Sequence, residues 1–233
     1  MRITGIQKLT LLDYPGAVAC TLFTGGCNFR CPFCHNALLV DPKRVMEEGE
    51  LPLDDVMDFL KKRRGVLDGV AVTGGEPLLH SDMPEFLRQI KELGYRIKLD
   101  TNGSNPELLR KILDEKLVDR VAMDIKNSPE LYAKTAGRDD LDIKAIEKSK
   151  DMLLQGDTEY EFRTTVVKGL HTKESLIEAA QWIKGAKEYY LQQFKDSGDL
   201  LKGEGLSEFN EAEMLELCDE VKKIIPAVKV RGV

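Results

Sequence analysis

Short apolar runs alternate along this 233-residue chain with segments of 3.6-residue periodicity, and that alternation restricts the available folds more than any other feature. The runs predict strands over 17–23, 69–73, 96–100, 120–125, 160–167 and 189–194, with a last short one over 227–231. Between them lie helical stripes. Leu53, Val56, Met57 and Leu60 form one; Met83, Phe86, Leu87 and Ile90 form another; Leu108, Leu109, Ile112 and Leu113 form a third. Further helices fit 142–154, 173–183 and 211–225, and Ser81 and Thr172 suit as N-caps. Strand–helix alternation implies parallel strands joined by right-handed crossovers. Six such units suit a partial barrel, because a complete eight-unit barrel usually needs about 250 residues.

At this length the expectation is one α/β domain over 1–233, closed by a helix and strand over 211–233. Hydrophobic residues make up 42% of the chain, enough for a packed core. A net charge of −6 and a pI near 5.3 argue against a general nucleic-acid or anionic-membrane binder. The basic run Lys61-Lys62-Arg63-Arg64 ends a predicted helix, where cations suit the macrodipole, and reads as a solvated helix end. No stretch reaches transmembrane length, and the run over 17–23 is too short for a signal peptide and follows Asp13 and Pro15. Residues 196–210, rich in glycine and charge, read as a loop before the last helix.

Three of the five cysteines fall within eight residues: Cys27-Asn28-Phe29-Arg30-Cys31-Pro32-Phe33-Cys34, followed by His35-Asn36. Clustered thiols without a disulfide framework suit a metal site in a reducing cytoplasm. Cys20, inside an apolar strand, reads as a packed core thiol. So does Cys218, on a helix face with Met214, Leu217, Val221, Ile224 and Ile225. Thiolates are the usual ligands of iron–sulfur clusters. A 4Fe–4S cube has four iron corners, so three thiols leave one iron open to chelate a small molecule. The alternative is a zinc site built from Cys27, Cys31, Cys34 and His35. A Cys34-His35 neighbour pair is awkward for one tetrahedral ion, and zinc leaves the glycine-rich segments below unexplained.

With this spacing and an aromatic residue at Phe33, the chain resembles the radical S-adenosylmethionine (SAM) superfamily. The likeness continues in order through Tyr14-Pro15-Gly16, the loop 24–36, Thr73-Gly74-Gly75-Glu76-Pro77, Leu99-Asp100-Thr101-Asn102-Gly103 and Met123-Asp124-Ile125-Lys126. These segments look most like glycyl-radical-enzyme activases, and within them the activating proteins of anaerobic ribonucleoside-triphosphate reductase. The resemblance implies a partial (β/α)6 barrel and a 4Fe–4S cluster on Cys27, Cys31 and Cys34. With no cysteine between Cys34 and Cys218, it implies one cluster only. It also implies that Gly74, Gly75 and Glu76 hold the methionyl amino group of SAM and that Phe33 and Lys126 lie against the cofactors. Asp100 and Asp124 then lie near the ribose and carboxylate end, bridged by a monovalent cation as in related activases. His35 supports the cluster loop.

Arg163 draws notice without any family. Alternation along its strand places Tyr160, Phe162, Thr164 and Val166 on one face and Glu161, Arg163, Thr165 and Val167 on the other. The first set suits helices, so Arg163 is expected to point into the barrel, where it needs an anion. Glu161 is one candidate partner; the SAM carboxylate, which the resemblance favours, is the other. Related formate-lyase activases carry a histidine after strand six. Here the segment reads Leu191-Gln192-Gln193-Phe194-Lys195, with Gln193 the candidate replacement. His80 and His171, in helix-start loops, read as surface residues.

The implied reaction is reductive cleavage of SAM to methionine and a 5′-deoxyadenosyl radical, with flavodoxin or ferredoxin as electron donor and no catalytic acid or base. The radical then takes a hydrogen from a glycine of a partner enzyme, such as anaerobic ribonucleotide reductase. Two alternatives stand beside it. One is a small-molecule enzyme like 7-carboxy-7-deazaguanine synthase, whose usual Gln-Gly-Glu-Gly segment is replaced here by Leu12-Asp13-Tyr14-Pro15-Gly16. The other is a zinc-stabilised binding module.

Overall fold

The computed structural model describes all residues except 35, 41–48, 197 and 199. Its strands are β1 (Ile3–Thr10), β2 (Ala19–Thr24), β3 (Gly69–Gly74), β4 (Arg96–Thr101), β5 (Arg120–Asp124), β6 (Glu159–Val166), β7 (Tyr189–Gln193) and β8 (Val228–Arg231). The helices are α1 (Ala37–Val40), α2 (Leu53–Lys62), α3 (Met83–Glu92), α4 (Pro106–Asp114), α5 (Tyr132–Ala136), α6 (Ile143–Gln155), α7 (Lys173–Trp182) and α8 (Glu211–Lys222). The strands form one eight-stranded sheet in chain order. From β2 to β7 each strand is followed by helix, the six-unit α/β connectivity expected from the sequence.

The chain divides into two compact units. The first is Met1–Asn28 with Leu38–Ala122; the second is Phe29–Ala37 with Met123–Val233. In the first, β2 pairs parallel with β3, and β3 with β4. Ala19, Cys20 and Leu22 of β2 are fully buried, as is Val70 of β3, the pattern of strands covered on both faces. The α3 stripe Met83, Phe86, Leu87 and Ile90 is buried as predicted, each side chain contributing about 1.5–3 kcal/mol. The N-cap of α3 is Asp82 rather than Ser81, without a side-chain capping bond. Lys61 and Lys62 close α2, and the whole basic run is exposed.

The sequence reading missed β1, which joins β2 antiparallel with two register irregularities. Its middle residues Gln7, Lys8 and Leu9 are exposed, so it has no apolar alternation to betray it.

In the second unit β6, β7 and β8 pair parallel. Thr172 caps α7 in a reciprocal box with Ser175, and Asn210 caps α8 with Glu213. Met214, Leu217, Cys218 and Val221 form the buried stripe of α8. The stretch 196–210 is tied down where described: Lys202 N–H donates to the Pro32 carbonyl at 2.9 Å, and Lys168 and Ser207 form an antiparallel bridge.

Candidate active site

In the first unit, the cysteine loop leaves the end of β2 against the segment after β3. Gly75 N–H donates to the Thr24 carbonyl at 2.9 Å and Glu76 N–H to the Gly26 carbonyl at 2.8 Å. A Cβ on Gly75 would stand 2.0 Å from the Gly26 oxygen, and one on Gly74, at φ +123°, 2.3 Å from the Thr24 nitrogen. Both glycines therefore serve first to let two strand ends meet. Because the Gly75 and Glu76 N–H groups are used internally, what this turn can offer a ligand is carbonyl oxygen.

Glu76 is 1% exposed. Its carboxylate accepts from Leu78 N–H at 2.9 Å, the Thr101 hydroxyl at 2.7 Å and Asn102 N–H at 2.7 Å. The Asn102 side chain donates to Asn28 Oδ1 at 2.9 Å, and Asn28 Nδ2 donates to Ser104 at 2.8 Å. Glu76 thus ties the β4 end to the residue after Cys27. His80 is half-buried, with Nε2 3.1 Å from the Gly25 carbonyl.

Asp100 of β4 pairs with Lys98, a lysine 1% exposed that sequence reasoning overlooked. The signal was available: opposite charges two apart on a strand share a face. The same spacing recurs at Asp124 and Lys126 in the second unit. There Lys126 Nζ lies 2.9 Å from Asp124 Oδ2, while Arg163 Nε and Nη2 lie 3.0 and 2.9 Å from Oδ1. Burial opposes the Asp124 carboxylate, but Arg163 and Lys126 outweigh it and hold the group well below the usual carboxylate range. Burial likewise opposes the Lys126 ammonium, and Asp124 outweighs it, holding the lysine charged. Arg163 is thus partnered by Asp124, a residue of another strand. Glu161, 1% exposed, is held by Arg231 through two contacts at 2.9 and 3.0 Å.

Cys31, Phe33 and Cys34 belong to this second unit. Lys126 Nζ is 6.0 Å from the Phe33 ring centroid. Burial pushes the Cys31 thiol up to about 11 and raises Cys34, while the Lys126 charge pulls both the other way. Cys20 is fully buried, its thiol pushed up to about 12 by burial. His171 is 4% exposed, not a surface residue. Gln193 lies on the face opposite Arg163, paired with Val166, and its Nε2 donates to the Phe209 carbonyl at 2.6 Å. His35 is outside the described residues. Beside Pro32 opens a cleft of about 520 Å³, lined also by Leu170, Lys202, Glu204 and Leu206.

The profile of the Radical SAM superfamily matches residues 21–183. The chain belongs to the radical SAM superfamily. Over 99% of its length it is 34% identical to a Methanocaldococcus jannaschii protein assigned as a glycyl-radical enzyme activating enzyme, covering 96% of that protein. It is 33% identical to the pyruvate formate-lyase-activating enzyme of Listeria monocytogenes, covering 57% of this chain and 56% of that one. Its fold is similar to Streptococcus suis SuiB bound to S-adenosylmethionine, with TM-score 0.66 and 16% identity, over 89% of this chain and 48% of SuiB.

Membership of this radical SAM family implies a 4Fe–4S cluster and SAM, and the donor chemistry fits: three unbridged thiols within eight residues, two of them under the charge of Lys126. Among the described residues, no three His, Cys, Asp or Glu side chains are gathered as a metal-binding set. The cysteine assignment therefore stands on spacing and family. Asp100 and Asp124 each have a protein cation, so neither carboxylate requires a bound monovalent ion for its charge. No helix among the described residues is long and apolar enough to cross a membrane.

Proposed function

We propose that this chain activates a glycyl radical enzyme, with residues 1–233 acting as one catalytic domain. The observation that carries the reading is the nearly end-to-end likeness to the Methanocaldococcus jannaschii protein, 99% of one chain against 96% of the other. A small-molecule reading has less support. The Thermococcus kodakarensis protein named as a probable GTP 3′,8-cyclase is 31% identical, but the match covers only 48% of that protein.

In this reading Cys27, Cys31 and Cys34 would hold the cluster through their thiolates, and SAM would bind beside it. When bound, these cofactors supply the electron and the hydrogen-abstracting radical. The protein supplies binding and orientation. Carbonyls of Gly74 and Gly75 accept from the methionyl amino group, and Glu76 holds their turn in place. Lys126 and Arg163 bring two cations to the Asp124 carboxylate, and the SAM carboxylate is the anionic ligand proposed for them. Asp100 serves the ribose end, and Phe33, within the cluster loop, presents its ring to Lys126 at 6.0 Å. No side chain is assigned as acid or base.

The partner in this proposal is anaerobic ribonucleoside-triphosphate reductase in the cytoplasm, with flavodoxin or ferredoxin as donor. Anaerobic incubation with reduced flavodoxin, SAM and that reductase is expected to give a glycyl electron paramagnetic resonance doublet. SAM cleavage with no glycyl signal on any candidate enzyme, and consumption of a small molecule instead, would overturn the activase reading.

A further inference from the structure

One strand of the first unit carries a buried cation. Along β4, Ile97 and Leu99 are both fully buried, and Lys98 and Asp100 alternate with them on the opposite face. Lys98 is 1% exposed. A buried ion pair seldom stabilises a fold more than apolar side chains of the same size would. A pair kept at the C-terminal end of a parallel strand, where such folds gather their chemistry, points to use rather than to stability.

The surroundings leave the ammonium to Asp100. The strand registers align Lys98 with Ala71 and Thr21 on the two neighbouring strands. Alanine offers no acceptor, and the Thr21 hydroxyl already donates to Asp13. Among the described residues the Lys98 side chain is bonded only to Asp100. The order along the strand also matters. Lys98 stands two residues before Asp100, about 7 Å, so it balances the carboxylate from behind, away from the strand end. In the second unit the order is reversed, with Lys126 following Asp124.

The monovalent cation that the resemblance implies does not fit at Asp100. A metal ion on this carboxylate would stand beside an ammonium of the same charge that has donors but no acceptor to offer it. We propose that Lys98 is the built-in counter-ion of Asp100, a tethered ammonium that takes the place of a monovalent metal ion and makes SAM binding by this chain independent of sodium and potassium. The inference rests on SAM being the ligand proposed above. Lys98 acts through Asp100, so it is a positioning residue, not a catalytic one.

Anaerobic calorimetric titration of the cluster-loaded protein with SAM, in choline, sodium and potassium nitrate at equal ionic strength, tests it. The wild-type affinity is expected to be the same in the three salts. In Lys98→Met the affinity in choline is expected to fall on the order of tenfold, the size of an ordinary coupling between two sites, and sodium or potassium should restore it. Lys98→Arg, which keeps a cation, is expected to stay independent of the salt. Thallium-205 resonance, with thallium(I) as the visible stand-in for potassium, supplies a readout apart from SAM. Lys98→Met is expected to bind an ion that is lost when Asp100→Asn is added, and the wild-type protein to bind none that Asp100→Asn removes. If Lys98→Met does not fold, judged by circular dichroism, Lys98→Gln carries the same test. A wild-type affinity that rises in sodium or potassium overturns the inference. So does a Lys98→Met variant that binds SAM as the wild-type protein does in choline, or one that loses SAM in every salt and takes up no thallium, the pattern of a merely structural lysine. If the wild-type protein binds no SAM in any salt, the SAM reading itself fails, and the thallium comparison alone judges Lys98.

Discussion

The Nε2–H of His171 donates to the backbone carbonyl of Lys126 at 2.8 Å, while its Nδ1 accepts from Val167 N–H at 3.1 Å. This fixes a neutral tautomer and ties the β6–α7 connection to the lysine that holds Asp124. Burial pushes the imidazole below its ordinary value, against the opposing pull of these hydrogen bonds. A proton added at Nδ1 would face the Val167 N–H and cost the fold that bond. With the folded value below the unfolded one of about 6.5, the contribution to stability is complete above that pH. It is lost as pH falls through the folded value. His80 shifts in the same direction from a less buried site. Denaturant unfolding between pH 7.5 and 5 is expected to show stability declining below about 6.5, with a shallower decline in His171→Gln. An unchanged slope in that variant would remove His171 from the account.

Glu76 accepts from three donors at the junction of β3 and β4. Glu76→Gln keeps the size but turns an amide NH₂ toward groups that can only donate there. The expected loss is on the order of 1–3 kcal/mol in denaturant unfolding. Thr101→Val removes one of those donors and should cost less. Equal stability of Glu76→Gln and the wild-type protein would mean that the carboxylate is not held as described.

The sequence made the alternating strands and the helix stripes legible because burial on both faces of β2 and β3 leaves nearly continuous apolar runs. β1 escaped because an edge strand with exposed Gln7, Lys8 and Leu9 carries no such pattern. The cysteine spacing and the Thr73–Pro77 segment were legible as motifs, yet the physical task of Glu76 was not, since two of its three donors, Thr101 and Asn102, come from 25 and 26 positions away. Arg163 was recognised as needing an anion, but the one protein partner named for it was Glu161, on its own strand. The answer, Asp124, lies on another strand.

Gly75 and Gly94 separate two reasons for glycine. Gly75 is excluded from bearing a Cβ by the Gly26 carbonyl, 2.0 Å from where that atom would stand. Gly94 has open space but φ +89°. Gly94→Ala should therefore cost about 1–2 kcal/mol through backbone strain alone. Gly75→Ala must displace the start of the cysteine loop and is expected to yield little folded protein. Comparable melting temperatures for the two variants would contradict the tight approach of Gly75 to Gly26.

The cysteines should divide by burial and spacing. Anaerobic reconstitution with iron and sulfide is expected to fail in Cys27→Ala, Cys31→Ala and Cys34→Ala. It should succeed in Cys20→Ala and Cys218→Ala, which lose packing worth about 1 kcal/mol. Iron retained in Cys31→Ala, or lost from folded Cys218→Ala, would break the assignment.

Lys126 and Arg163 grip opposite oxygens of one carboxylate, so their variants should not behave as independent deletions. Removing either takes one cation from Asp124 and one of the two cations proposed for the SAM carboxylate. Arg163→Met and Lys126→Met are each expected to weaken SAM binding by about 1.5–3 kcal/mol with the cluster intact, the worth of a charge-assisted hydrogen bond. The double variant should lose less than the sum, because residues sharing a partner couple. Asp124→Asn supplies the opposite sign: it leaves both cations without their shared anion, so it should lower stability without weakening SAM binding comparably. Titrations of the three single variants and the double, followed by visible absorption of the cluster, decide the matter. Unchanged SAM affinity in both Arg163→Met and Lys126→Met would show that this charged triad serves the fold alone.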